Sequence, residues 1–179
     1  MALTFLTGGV RSGKSRLAVT LAERYAGPVF FIATAEAGDA EMAARIAVHR
    51  AERPSGWHTV EAPRDLPAAL SKVPDGAMVV IDCVSLWVSN ELGAGLDGAS
   101  IEAAARAVAT CAAERTGPVV CVSNEVGSGI IPINALARTY GDVLGRVNQR
   151  LAAVAAPALL IVAGRALRLA DPFDLVGLK

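Results

Sequence analysis

Aromatic side chains are scarce in this chain: they make up 4% of its 179 residues, although 53% are hydrophobic. A core of that composition is filled by Ala, Val, Leu and Ile. Charge of one sign is also lacking, because 17 Lys and Arg balance 17 Asp and Glu. No basic, aromatic-rich stripe is present to draw in nucleic acid, and no basic field to draw in an anionic membrane, so a small-molecule substrate is expected. Cysteine is limited to Cys83, Cys111 and Cys121. They are odd in number and lack metal-ligand spacing, which reads as core thiols of a reducing compartment. Long apolar runs are missing too. The longest, from Leu151 to Ala163, is interrupted by Pro157 and is too short to span a bilayer as a helix. The first residues enter an apolar strand and a Gly-rich loop directly, without the charged start and cleavage site of a signal peptide, so a cytoplasmic protein without a membrane span is expected.

A chain of this length fits one domain, 1–179. Short apolar runs at Leu3 to Leu6, Val29 to Ala33, Ala77 to Ile81, Val119 to Val122 and Ala158 to Ala163 suit strands buried on both faces of a parallel sheet. Helical patterns lie between them, at Lys14 to Tyr25, Ala40 to Glu52, Leu66 to Lys72, Val84 to Leu92, Ile101 to Arg115 and Asn134 to Ala155. Gly27-Pro28, Pro74-Asp75-Gly76 and Gly117-Pro118 punctuate the approach to three of the strands. A short edge strand is expected at Trp57 to Glu61. The pattern predicts a three-layer α/β domain of the P-loop NTPase, RecA-like kind with a mostly parallel central sheet.

The first strand runs into T-G-G-V-R-S-G-K-S, Thr7 to Ser15, which has the spacing of a phosphate-binding loop in the strand–loop–helix context such a loop requires. Gly8 and Gly13 let the backbone curl around an anion, with N–H groups aimed inward at a helix N-terminus. Lys14 then reaches the outer phosphates of a nucleotide, and Ser15 is placed to hold magnesium. Asp82 ends the run A-M-V-V-I-D. A carboxylate at a parallel strand's end suits magnesium or its water, and the competing reading is a cap on the helix that starts at Val84.

Two further features stay open on residue chemistry alone. On a helical period, Met42, Ile46, His49 and Arg53 share one face, where a lone histidine is more often structural than chemical. His58, beside Trp57, has no stronger claim. The stretch S-N-E-V-G-S-G-I-I-P, Ser123 to Pro132, follows a predicted strand and brings Asn124 and Glu125 to the end where a ligand would lie, although an ordinary Gly-rich connection reads the same way.

Six blocks, in order from Thr4 to Gly164, carry a family resemblance: G-G-V-R-S-G-K-S, F-I-A-T-A-E, D-A-E-M-A-A-R-I-A-V-H-R-A-E-R-P-S-G-W-H-T-V-E, V-I-D-C-V-S-L-W-V-S-N, S-N-E-V-G-S-G-I-I-P and G-R-V-N-Q-R-L-A. The chain resembles the bifunctional adenosylcobinamide kinase and adenosylcobinamide-phosphate guanylyltransferase family of cobalamin biosynthesis. The resemblance implies phosphorylation of the aminopropanol arm of adenosylcobinamide, then transfer of GMP from GTP to that phosphate, giving adenosylcobinamide-GDP and pyrophosphate. It places a covalent GMP on His49 and makes Lys14 the second catalytic residue. It also places nucleotide contacts at Gly8, Gly9, Val10, Arg11, Ser12, Gly13, Lys14, Ser15, Ala33, Thr34, Ala35, Arg50, Ala51, Glu52, Arg53, Glu61 and Asp82. GTP or ATP is the implied co-substrate, Ser15 and Asp82 the implied magnesium ligands, and a homotrimer the implied assembly. The tail departs from the family: Arg165-Ala166 stands where I-P is usual, and an extension runs to Lys179. Two other readings are another small-molecule kinase on the same loop and a GTP-driven switch. The switch calls for an N-K-x-D guanine reader, which the sequence does not contain.

Overall fold

The computed structural model describes residues 3–51 and 53–177. Fourteen elements follow in chain order among them: β1 (Leu3–Thr7), α1 (Lys14–Glu23), β2 (Val29–Ala33), α2 (Ala40–Ala51), β3 (His58–Glu61), α3 (Leu66–Ser71), β4 (Met78–Asp82), α4 (Val84–Gly93), α5 (Gly98–Glu114), β5 (Val119–Val122), α6 (Ala135–Val154), β6 (Ala155–Val162), β7 (Arg165–Leu169) and α7 (Pro172–Val176). The strands form one sheet in the order β3-β2-β4-β5-β1-β6-β7. Every neighbouring pair is parallel except β6 and β7.

Apolar runs become central strands here because both sheet faces are covered. Period-two alternation sends Leu3, Phe5, Val79, Ile81 and Cys121 to one face, and Leu6, Val80, Val120 and Val122 to the other. Helices α3 to α6 supply Leu66, Trp87, Ile101 and Leu144 to the first layer, while α1 supplies Ala18 and Ala22 to the second. Small and β-branched residues fill both layers, as a composition poor in aromatics requires.

Most boundaries fall within a residue or two of those expected, but β6 begins at Ala155, directly after α6 and three residues ahead of the run expected from Ala158, where Ala155 pairs with Leu3 of β1. Helix α5 starts at Gly98 rather than Ile101, because the Asp97 side chain caps it by accepting from Ser100 N–H. Asn134 is the cap of α6, accepting from Leu136 and Ala137 N–H, rather than its first helical residue. Strand β3 forms at the expected edge and pairs in parallel with β2. The last strand was not foreseen. β7 returns along β6 through Ala163-Gly164, both at positive φ, a two-residue hairpin turn.

Candidate active site

The phosphate loop leaves β1 through two glycines whose backbone conformations would strain any other residue. Gly8 has φ +146°, and a Cβ there would collide with the Ile161 carbonyl; Gly13 has φ +103° at the entrance to α1. The loop is tied on both sides. Glu125 N–H donates to Gly8 O at 3.1 Å, and Gly164 N–H, in the β6–β7 turn, donates to Ser12 O at 2.8 Å. The divergent tail, from Arg165, thus follows directly on a turn that buttresses the loop. Lys14 is buried, and its ammonium donates to Gly8 O (2.7 Å), Gly9 O (2.6 Å) and Ser12 Oγ (3.3 Å). Burial lowers its pKa, opposed by the nearby Cys83 and Asp82.

Asp82 stands half-buried at the end of β4. Burial pushes its carboxyl pKa up, opposed by a hydrogen bond from the Ser15 side chain and by the charges of His49, Arg53 and Lys14. It does not cap α4: Cys83 occupies that position, with no side-chain cap bond. The turn after Asp82 is clamped by Thr34, whose Oγ1 donates to Cys83 O at 2.7 Å and accepts from Cys83 N–H at 2.8 Å. Cys83 itself is buried, its thiol pushed up to about 11 chiefly by that burial, which makes it a poor nucleophile near neutral pH.

A cavity of about 650 Å³ opens against this loop, a size suited to a nucleotide. Its wall takes in Val10, Arg11, Ser12, Gly13, Lys14 and Ser15 from the loop, Ala33 and Ala35 from the end of β2, and Asp82. Across from them, α2 presents Met42, Ile46 and His49 from the face read from the sequence, and Arg53 lies just beyond the end of the helix; all four line the cavity, joined by Arg50 and Glu61. Arg53 lies 3.8 Å over the Phe31 ring, and burial lowers its pKa. Arg50 pairs with Glu61 at 3.2 Å, both side chains about two-thirds exposed (65% and 68%). His58 is elsewhere, stacked on Phe30 with ring centroids 4.7 Å apart and outside the cavity wall.

The structure thus brings together most of the residues singled out in the sequence. Gly8, Gly9, Thr34 and Ala51 are not part of the wall. Gly8 and Gly9 instead accept from Lys14, and Thr34, fully buried, shapes the wall from behind. Glu52 lies outside the described residues. The wall also holds Arg16, Ala37, Leu86 and Val122, which carry no site motif in the sequence, and Cys83, expected only as a core thiol. Leu86 carried a faint signal, since it stands in the first turn of the helix that follows Asp82.

Comparison with known proteins follows the same outline. A family model described as cobinamide kinase / cobinamide phosphate guanyltransferase matches residues 4–169. The chain is 42% identical over 160 residues to the bifunctional adenosylcobalamin biosynthesis protein CobP of Pseudomonas aeruginosa, covering 89% of this chain and 92% of that one. It is 42% identical over 176 residues to the bifunctional adenosylcobalamin biosynthesis protein CobU of Salmonella typhimurium, covering 90% and 96%. Among solved structures, a prototypical ATPase of a bacterial type III secretion system superposes with a TM-score of 0.57 at 10% identity, over 98% of this chain and 53% of that one. The chain spans about half of that ATPase, and the likeness concerns the fold alone.

Proposed function

The chain belongs to the cobinamide kinase / cobinamide phosphate guanyltransferase family, and from that premise we propose that a single cavity serves both of its reactions. It is a bifunctional enzyme of cobalamin biosynthesis, and the readings of a lone kinase or a GTP-driven switch give way to this one. One observation carries the shared cavity: His49, Arg50 and Arg53 line the same space as Lys14, Ser15 and Asp82.

In the kinase step the loop's N–H groups and Lys14 hold the phosphates of ATP or GTP while the hydroxyl of adenosylcobinamide attacks the γ-phosphorus. In the second step a ring nitrogen of His49 attacks the α-phosphorus of GTP and expels pyrophosphate, leaving GMP as a phosphoramidate. The corrinoid phosphate then attacks that phosphorus and frees His49. Arg50 and Arg53 neutralise phosphate charge as it develops. His49 is exposed, so a bulky corrinoid has access to it.

Magnesium fits the residues present. Ser15 and Asp82 are hydrogen-bonded at the foot of the cavity, and Asp82 carries a desolvation penalty that a cation relieves. Among the described residues no cluster of three acidic, His or Cys side chains forms a cage, which suits an ion held by one or two protein oxygens and by phosphates. When bound there, it neutralises charge between the outer phosphates.

An interface between copies, which we propose builds the homotrimer the family resemblance implies, is supported by exposed apolar residues that a lone chain leaves to water, Ile130, Ile131 and Ile133 after β5 and Phe173 and Leu175 in α7. No helix among the described residues is long and apolar enough to cross a membrane. Free cysteines support a cytoplasmic enzyme, which cell fractionation would check.

The deciding experiment uses GTP labelled at its α-phosphate, followed by denaturation and mass mapping. The expected result is label on His49, none in His49→Ala, and kinase activity retained in that variant but lost in Lys14→Ala. Label on His58, or on no histidine, would overturn the assignment.

A further inference from the structure

The segment S-N-E-V-G-S-G-I-I-P has no part in the two reactions as assigned above, yet it begins at the centre of the sheet. Strand β5 runs between β1, which feeds the phosphate loop, and β4, which ends at Asp82. Val122 stands level with Leu6 on one side and with Asp82 on the other. The residues after it are therefore carried to the height of Gly8, where the Glu125 N–H bond is made. Asn124 emerges between the phosphate loop and the carboxylate, and it lines the cavity that holds Lys14, Ser15 and Asp82.

Its carboxamide is held in one orientation. Nδ2 donates to Ser85 Oγ at 2.9 Å, and Ser85 is buried against Cys83 Sγ at 3.0 Å. The main chain is held as well: Asn148 of α6 donates to Asn124 O at 3.0 Å and accepts from Ser123 Oγ at 2.6 Å. A buried polar network of this kind is a rigid mount. One Nδ2 hydrogen is committed to Ser85, which leaves for a ligand the second N–H and the acceptor Oδ1. Phosphate oxygens, themselves acceptors, make poor partners for Oδ1, whereas an alcohol donates to it.

We propose that Asn124 is a catalytic residue of the kinase step, its Oδ1 accepting a hydrogen bond from the corrinoid's hydroxyl and holding that oxygen in line with the γ-phosphorus. The hydroxyl oxygen forms the new P–O bond, and the bond from the γ-phosphorus to the bridging oxygen breaks. The nucleoside diphosphate leaves with that electron pair, and the hydroxyl proton passes to the transferred phosphoryl group. The role rests on the kinase reading above and deepens it.

The test compares Asn124→Ala with wild type in three readouts: corrinoid phosphorylation, affinity for a fluorescent ATP analogue, and thermal unfolding. Loss of alignment alone is worth about a hundredfold in turnover. The expected result is a fall of about that size in kcat, with nucleotide Kd within about twofold of wild type. Ser85→Ala, which frees the carboxamide without removing it, is expected to show a smaller fall in kcat at unchanged nucleotide Kd, and it serves if Asn124→Ala fails to fold. A nucleotide Kd that weakens in step with kcat would put the amide on the phosphates and overturn the proposal, as would unchanged kcat in either folded variant. Wild-type enzyme that phosphorylates no corrinoid would refute the kinase reading itself, a result distinguishable from both.

Discussion

Thr34→Val separates two roles for a residue that the family resemblance places among the nucleotide contacts. Valine keeps the shape and removes only the hydroxyl, which is fully buried and bonded twice to Cys83. The consequences for the two partner atoms differ. Cys83 O also accepts from Trp87 N–H at 3.2 Å, so it keeps a partner and loses about 1 kcal/mol. Cys83 N–H is left with an apolar methyl group against it, and an orphaned buried donor costs about 1–3 kcal/mol. The sum is about 3 kcal/mol, which in a chain of this length lowers Tm by about 6–12 °C. Denaturant unfolding followed by the fluorescence of Trp57 and Trp87 measures it, with nucleotide Kd measured on the folded variant. A loss below about 1 kcal/mol, or a Kd weakened more than about tenfold with stability intact, would refute the clamp and restore a direct contact.

Asp82→Asn tests the carboxylate through pH. Burial raises its folded pKa above the ordinary value of about 3.9, so the folded protein keeps a proton that the unfolded chain has released. Stability contributed at this site therefore falls as pH rises from about 4 through the folded pKa, and asparagine removes that slope. The variant is expected to be at least as stable as wild type near pH 7 in parallel unfolding titrations, while magnesium-dependent kinase turnover falls about a hundredfold; a less stable variant with normal turnover would defeat the reading. For the assembly, sedimentation of the wild-type protein is expected to give three copies, and Ile131→Asp with Ile133→Asp a smaller species; a wild-type monomer would rule the trimer out.

The phosphate loop, the carboxylate at the end of β4 and the covered parallel sheet were all legible in the chain, because each depends on local rules. A loop with glycines at two positions of positive φ has few alternatives, and strands buried on both faces must read as continuous apolar runs. The helical period alone put Met42, Ile46, His49 and Arg53 on one face, and the structure keeps them together. What that face looks at is decided by packing: only the sheet order brings α2 opposite the loop and leaves His58, nine residues from His49, on the far edge against Phe30. Thr34 shows the same division, since nothing in F-I-A-T-A-E says whether its hydroxyl meets a nucleotide or a backbone turn 49 residues away. The β6–β7 hairpin was hidden for a related reason. An exposed edge strand has no apolar run to announce it, and its turn gains its role only by meeting Ser12 across the fold. Asn124 belongs to both levels, its place at a strand end readable from the chain and its orientation set by Ser85 and Asn148, which arrive on helices far away in sequence.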